Sequence, residues 1–436
     1  MTSSSFPHYD LAIIGTGLAG LAAAVCAVNR GLSVVQAGNT GAIAYTSGVF
    51  DVLGAIPPTE DGDIAVVDAP FAALPRLLAA YPGHPYAVVT PEGIRAAFHE
   101  VLDFLRGAGI VYHTGDQRNF AVIGPAGTIK HSWCVPETIM GGCTAFAAKA
   151  PCVIVGVERL KGFSAAQVVA NLRGVWPQLR AAQVALPEHP GGEVYTEQAA
   201  RMLEVPQLCR AFAEALRPLV DGVQYLGLPA ILGVHRPGDV AADLSRQLGV
   251  TVFEIPTMPP GVPGIRLKEA FEDKLPEMGV ALYCQQRMDG QLPPPGEPFR
   301  LHISGQPTEV DVLADHVLLA TGRFLGGGLR GDLEGVVETV FGLPVVQPET
   351  RAQWHRADYL DPRGHEIHKA GICVDAQLRP VGPAGELIHP RLHVAGSLLA
   401  NQDWIRMKCG AGVAIATAAS AVEAVAKACA HGDGAT

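Results

Sequence analysis

Residues 11–14 form an unbroken apolar run, LAII, that breaks into Gly15-Thr16-Gly17-Leu18-Ala19-Gly20 and continues as LAAAVCAV. An apolar run without polar alternation reads as a strand buried on both faces. Small residues after a glycine turn read as a helix packed closely on that strand. Gly15 permits the turn, Gly17 keeps a Cβ away from an approaching group, and Gly20 lets helix and strand touch. The helix would then offer its free amides to a pyrophosphate.

Two later segments repeat the passage from apolar strand to glycine turn. Residues 317–322 read VLLATG and 392–397 read LHVAGS; a polar loop, 398–408, leads to Cys409-Gly410-Ala411-Gly412-Val413 and a helix of small residues. This order resembles the layout of two-dinucleotide-fold flavoproteins, whose last helix aims its positive end at the pyrimidine edge of the isoalloxazine. The expected fold is α/β: a discontinuous, Rossmann-like FAD-type domain with an inserted α/β cap or docking domain. Its pieces are residues 1–55, 260–335 and 370–432, and the insert is 56–259 with 336–369. Cofactor contacts are expected at Gly15, Gly17, Leu18, Ala19, Gly20, Thr321, Gly322, Gly396, Ser397, Cys409, Gly410, Ala411, Gly412 and Val413.

Periodicity organises the rest. Residues 266–278 read as an amphipathic helix before a strand at 280–284, and 299–303 with 310–314 as a β-meander before the strand at 317–320. In the insert, strand-like runs at 152–157, 223–228 and 250–255 alternate with helical ones at 164–172, 199–216 and 240–248. The proline-rich stretch 292–298 reads as an exposed turn, and Lys130 and His131 as part of a polar loop.

One element departs from the dinucleotide pattern. The second strand, 32–37, should end in an acid about 20 residues past the first glycine, where it would bind ribose hydroxyls. Gln36, Ala37 and Gly38 stand there instead. Gln36 is a neutral candidate for the ribose, and FMN stays open beside FAD. The loop 41–51, beginning at Gly41, is small and hydroxyl-bearing. Thr46, Ser47 and Gly48 suit the face of a flavin ring; they also suit a loop closing a hairpin. No histidine follows closely enough to suggest a covalent link, so a dissociable flavin is expected.

Composition narrows the partners. The 436 residues suggest two or three domains, and 32 Lys and Arg against 42 Asp and Glu give a net charge of −10 with no basic block. Nucleic acid is not expected. The nine cysteines include no CxxC pair, so no zinc or iron-sulfur site is expected, and electrons must leave through another protein or a soluble acceptor. The N-terminus shows no signal peptide pattern, and a cytoplasmic protein is expected.

The chain resembles the B subunits of anaerobic glycerol-3-phosphate dehydrogenases. The resemblance is carried by GTGLAGL, the Thr-Ser-Gly loop with FDVL, GHPY at 83–86, PTMPPGVPGIRL at 256–267, LLATGRFLGGGL at 318–329, GICVDAQLRP at 371–380 and the block 392–413. It implies a complex that oxidises sn-glycerol 3-phosphate to dihydroxyacetone phosphate. Its parts would be a sister flavoprotein subunit, an iron-sulfur subunit and menaquinone, and contact with the inner membrane would be only indirect, through a partner. Where that family has small residues before the cysteine, this chain has Asp403-Trp404-Ile405-Arg406-Met407-Lys408, which alters access and local charge.

Alcohol oxidation needs a base, and a small anionic substrate needs cations or N–H groups. Arg266, Arg323, Arg406, Lys408 and His84 are the candidates. Arg266 and Arg323 equally suit pairing with carboxylates, and His84 suits the anchor of a turn. Two roles are open: an enzyme with its own substrate pocket, or an electron-relay subunit fed by a sister flavoprotein. The missing ribose acid, Trp404 and the lack of a clear His-Arg pair favour relay. A nicotinamide-dependent reductase would need a second fingerprint; the nearest stretch, 153–158, lacks the repeated glycines.

Overall fold

The computed structural model describes residues 6–431 apart from 40, 41, 189, 190, 295 and 307. Gly41 of the expected loop, residues 1–5 and 432 of the expected flavin domain, and Pro295 of the proline-rich turn lie outside the described residues. The chain divides into two compact units, one of Met1–Ala42, Asp51–Phe104 and Phe271–Thr436, the other of Ile43–Phe50 and Leu105–Ala270. The boundaries differ from those expected, since 56–104 and 336–369 fall in the first unit and 260–270 in the second. Composition does not mark the crossings at 104 and 270, because both fall inside helices, Pro91–Gly107 and Val262–Glu277.

The first unit is built on strands β1 (His8–Ile14), β2 (Val34–Gly38), β3 (Ala281–Cys284), β4 (Arg287–Gly290), β5 (Phe299–Gly305), β6 (Thr308–Leu319) and β7 (Leu392–Val394). They form one sheet in the order β3-β2-β1-β6-β5-β4, with β7 also on β6. The β3, β2, β1, β6 and β7 pairings are parallel, and β5 and β4 continue antiparallel. Leu11 to Ile14 of β1 are at most 4% exposed, as a strand covered on both faces requires. The expected strands at 310–314 and 317–320 are one twelve-residue strand, β6. Its first half pairs with β5 and its second half with β1, so no break is needed.

Helix α1 (Leu18–Asn29) follows β1, and helix α2 (Gly410–His431) ends the described chain. The two pack on each other, which their alanines and glycines permit. At the far end of α1, Arg30 pairs with Glu423 of α2 at 2.9 Å and with Glu100 at 3.0 Å. By length and composition Gly410–Ala430 is apolar enough to cross a bilayer, yet half of that window is buried within the fold. That burial is the packing of a core helix.

The second unit is a smaller parallel sheet in the order Leu179–Val184, Cys152–Val157, Tyr225–Pro229, Thr251–Ile255. The expected helix over 199–216 is two, Thr196–Leu203 and Pro206–Leu216, because Pro206 lacks the N–H a continuous helix needs and starts a new one instead. Lys130 and His131 lie in a strand, Ile129–Ser132, paired with Phe120–Ile123 rather than in a loop. Under the sheet Arg266 meets Glu254 in a double contact, Nη1 to Oε2 at 2.7 Å and Nη2 to Oε1 at 2.8 Å, with side chains 3% and 0% exposed. Burial pushes the Glu254 carboxyl up, but the guanidinium and the donors Thr138 Oγ1 and Leu232 N outweigh it and hold the group below its usual range. Glu254→Ala would strand a buried guanidinium. The expected cost is about 3–5 kcal/mol, read as unfolding at lower urea than the parent.

Candidate functional site

Three glycine turns stand at the carboxyl ends of neighbouring parallel strands: Gly15 after β1, Gly322 after β6 and Gly396 after β7. In open α/β sheets this edge carries the ligand. Backbone approach there is too close for side chains. A Cβ on Gly15, whose φ is +126°, would lie 2.3 Å from Ala320 O, and one on Gly20 would lie 2.0 Å from Gly15 O. A Cβ on Gly396 would lie 2.7 Å from Ala19 Cβ. Gly17 differs, for beyond its two chain neighbours no atom lies within 4 Å of where its Cβ would be.

That open space faces the mouth of α1. Gly17 O accepts from Leu21 N at 3.0 Å, and the first turn has neither an acid nor a side-chain cap. Helical geometry leaves the amides of Leu18, Ala19 and Gly20 without an intrahelical acceptor, and such amides suit phosphate. At the mouth of α2, Gly412 N donates to Asp51 O at 2.7 Å and Val413 N to Cys409 O at 2.9 Å. The same rule leaves Gly410 and Ala411 to present theirs. Thr321 Oγ1 is buried without a hydrogen-bond partner among the described residues. Glycine cradle, two helix mouths and an orphaned hydroxyl fit a flavin dinucleotide.

Thr46, Ser47 and Gly48 belong to the second unit. There Gly48 has φ +79°, a Cβ on it would lie 2.5 Å from Pro263 Cβ, and its carbonyl accepts from Tyr112 Oη at 2.6 Å. Thr46 Oγ1 is a second buried hydroxyl without a partner among the described residues.

Four of the remaining candidates are engaged by the protein's own groups: His84 and Arg266 in the alternatives left open for them, Gln36 and Arg323 in neither of the expected roles. Gln36 is fully buried, and its Nε2 donates to Gly15 O at 2.8 Å. It braces the glycine turn from the α1 side, so it is not a ribose ligand; the next polar side chain, Asn39, is exposed. Arg266 is consumed by Glu254 and Gly233 O. Arg323 meets carbonyls instead of a carboxylate: Ser397 O at 2.6 Å, Gln402 O at 2.8 Å, Leu399 O at 3.1 Å, and His368 O. Burial pulls it down to about 10, still charged at neutral pH, and it clamps the loop after β7. His84 is fully buried and caps a turn, its Nδ1 accepting from Tyr86 N at 3.1 Å. Burial pushes its imidazole down to about 3, so it is neutral and closed to solvent, unsuited to serve as a base. Lys408 takes a left-handed φ of +50° after the short helix Trp404–Met407 and has an exposed side chain. Trp404, 40% exposed, lies across the mouth of α2, its Cε3 3.0 Å from where a Cβ on Gly410 would be.

Arg406 sits in a constellation that the linear pattern hid. His368 Nδ1 is 3.2 Å from Arg406 Nη1 and 3.3 Å from Asp403 Oδ2. Asp403 Oδ1 also accepts from Arg406 N at 3.2 Å, capping the short helix. Burial pushes the Asp403 carboxyl up, but the hydrogen bonds from His368 and the Arg406 amide prevail and keep it below its usual value. His368 and Arg406 keep 31% and 16% of their side chains exposed. Thirty-five residues separate His368 from Asp403, so spacing carried no signal; the N-cap aspartate before Trp404 was the one local hint.

The FAD binding domain matches residues 10–413. A Vibrio cholerae protein named as the B subunit of anaerobic glycerol-3-phosphate dehydrogenase is 30% identical over 432 residues, 96% of each chain. This chain belongs to that family. The Vibrio vulnificus protein of the same name is 29% identical, covering 95% of this chain and 96% of its own. A Halobacterium salinarum protein named as a probable member is 29% identical, covering 96% and 98%. The chain is thus a flavin-dependent oxidoreductase that binds FAD, which closes the FMN alternative, and these relatives are each named as a B subunit. Gly15→Ala, with a left-handed φ and a Cβ 2.3 Å from Ala320 O, is expected to strain the turn by roughly 1–3 kcal/mol or more. The variant should purify without flavin absorbance while wild-type protein is yellow.

Proposed function

We propose that this chain is the flavoprotein subunit of an anaerobic respiratory sn-glycerol-3-phosphate dehydrogenase complex, handing electrons to an iron-sulfur subunit and on to menaquinone. The amides that lack an intrahelical acceptor at two helix mouths carry the reading, together with relatives that bear that name over nearly the whole chain. The cofactor is non-covalent FAD, held at its phosphates by Gly15 to Gly20 and at its ring by Thr321, Gly322, Gly396, Ser397 and the start of α2. Nine cysteines without a CxxC pair agree with electrons leaving through a partner. The complex sits at the cytoplasmic face of the inner membrane, and this polypeptide touches the membrane only through its partners.

Bound FAD supplies a two-electron acceptor. Relay from a sister flavoprotein needs nothing further from this chain. The His368-Asp403-Arg406 group favours a second reading, in which the chain takes a small anion itself. A partly exposed guanidinium provides charge-assisted hydrogen bonds for a phosphate or carboxylate. His368, oriented by the buried Asp403, stands beside it as a proton acceptor for an alcohol.

Addition of glycerol 3-phosphate to the isolated, FAD-loaded chain separates the two. Direct oxidation bleaches the flavin absorbance, and Arg406→Met then weakens substrate binding roughly ten- to hundredfold; under relay, the colour persists. Acid precipitation of the loaded protein is expected to release the flavin into the supernatant with the mass of FAD. A pellet that stays yellow would contradict non-covalent binding.

A further inference from the structure

The mouth of α2 is held by a buried bracket in which the GHPY turn is the fixed jaw. His84 N donates to Tyr81 O at 3.0 Å, Tyr86 N to His84 Nδ1 at 3.1 Å and Ala87 N to His84 O at 2.8 Å. Because Nδ1 accepts an amide hydrogen, the imidazole proton is placed on Nε2. That nitrogen points at Cys409 Sγ, 3.8 Å away and fully buried. The Tyr86 ring lies against His84, centroids 4.8 Å apart, and its Oη donates to Val52 O at 2.7 Å.

The strand of chain that Tyr86 grips is the one that grips α2. Asp51 O accepts from Gly412 N at 2.7 Å, and Gly54 N donates to Met407 O at 3.1 Å and Lys408 O at 3.0 Å. The fit leaves no slack, since a Cβ on Gly412 would lie 2.0 Å from Tyr86 Oη, 2.9 Å from Asp51 O and 3.0 Å from Val52 Cα. Two contacts thus run from the turn to the helix, one through Cys409 and one through Asp51 and Val52. Between them they set the direction in which the Gly410 and Ala411 amides point.

We propose that His84 and Tyr86 are positioning residues: through Cys409 and the 51–54 strap they aim the positive end of α2, and so tune how tightly FAD is held and how readily it is reduced. This rests on the reading above that α2 faces the flavin. Partial positive charge at a helix start favours the extra negative charge of the reduced cofactor, and the effect decays within one turn. A small change of aim therefore reaches the potential, whereas the sheet and its glycine cradle stay as they are.

His84→Asn separates anchoring from aiming. An asparagine oxygen still caps Tyr86 N, but nothing reaches Cys409. Tyr86→Phe keeps the ring and loses only the bond to Val52 O. Ala411→Pro removes one amide at a position in the first turn that tolerates proline and asks whether α2 faces FAD at all. Each variant is titrated with FAD by fluorescence, its bound-FAD reduction potential is measured, and its apo form is melted. For His84→Asn and Tyr86→Phe, FAD dissociation constants roughly tenfold higher are expected. Their potentials should fall by about 30 mV, the two-electron equivalent of the reduced form being weakened tenfold more than the oxidised one. If Ala411→Pro shifts both quantities while these two match wild type, the positioning role is overturned and the site stands. If Ala411→Pro shifts neither, the placement of α2 at the flavin falls, and the proposal with it. A lowered apo melting temperature with wild-type affinity and potential marks a purely structural role and also overturns the proposal.

Discussion

Close backbone approach at the carboxyl ends of β1, β6 and β7 is the constraint on which the first unit depends. Gly15 lies so near Ala320 O that a Cβ would stand 2.3 Å away, and a Cβ on Gly20 would stand 2.0 Å from Gly15 O. Only glycine allows strand, turn and helix to occupy that space together. The same closeness brings three strand ends to one edge and leaves an open position beside Gly17. A ligand site here is the by-product of packing too tight for side chains, and Gln36, bonded beneath the turn at 2.8 Å, stabilises the backbone rather than the ligand.

A second constraint governs the segment after β7. Its carbonyls at Ser397, Leu399 and Gln402 converge on Arg323, which is charged, largely buried and without a carboxylate partner. A guanidinium surrounded by carbonyl dipoles is satisfied without neutralisation, so the loop is pinned while its net positive charge survives. Arg323 also holds His368 O, which couples the loop to the His368-Asp403-Arg406 group. The cation read from sequence as a substrate ligand instead holds the loop that carries Asp403 and Arg406.

Local signals were legible where backbone chemistry is local. The fingerprint 15–20, the turns at 322 and 396 and the small-residue helix after Cys409 all announced themselves, because glycine and periodicity act over a few residues. β6 misled, since a polar interval, Asp315-His316, looked like a gap, whereas the strand stays paired with β1 across it while β5 gives way to β7 on its other edge. Side-chain roles were less legible. Arg266 and Arg323 share a residue type and a motif-rich setting, yet one is bound to a carboxylate and the other to carbonyls, a distinction made by residues 12 and up to 79 positions away. His368 was missed for the same reason: its partners come from another part of the chain.

Topology alone does not make a site, and this chain contains its own control. The second unit is also a parallel sheet, with chain order 2-1-3-4 about Cys152–Val157, the arrangement in which nucleotides bind at the switch of direction. After Val157, however, come Glu158, Arg159 with φ +64°, and the buried Leu160, where a phosphate loop would need glycines. At the neighbouring strand end the amides of Val234, His235 and Arg236 do converge, at 2.9, 2.6 and 3.1 Å, but on Glu204 Oε1. A carboxylate already occupies the concavity that an anion would seek, and its charge repels a second one. The first unit presents the same kind of amides at α1 with no acid in the first turn. What separates the two units is whether the chain has filled its own anion hole.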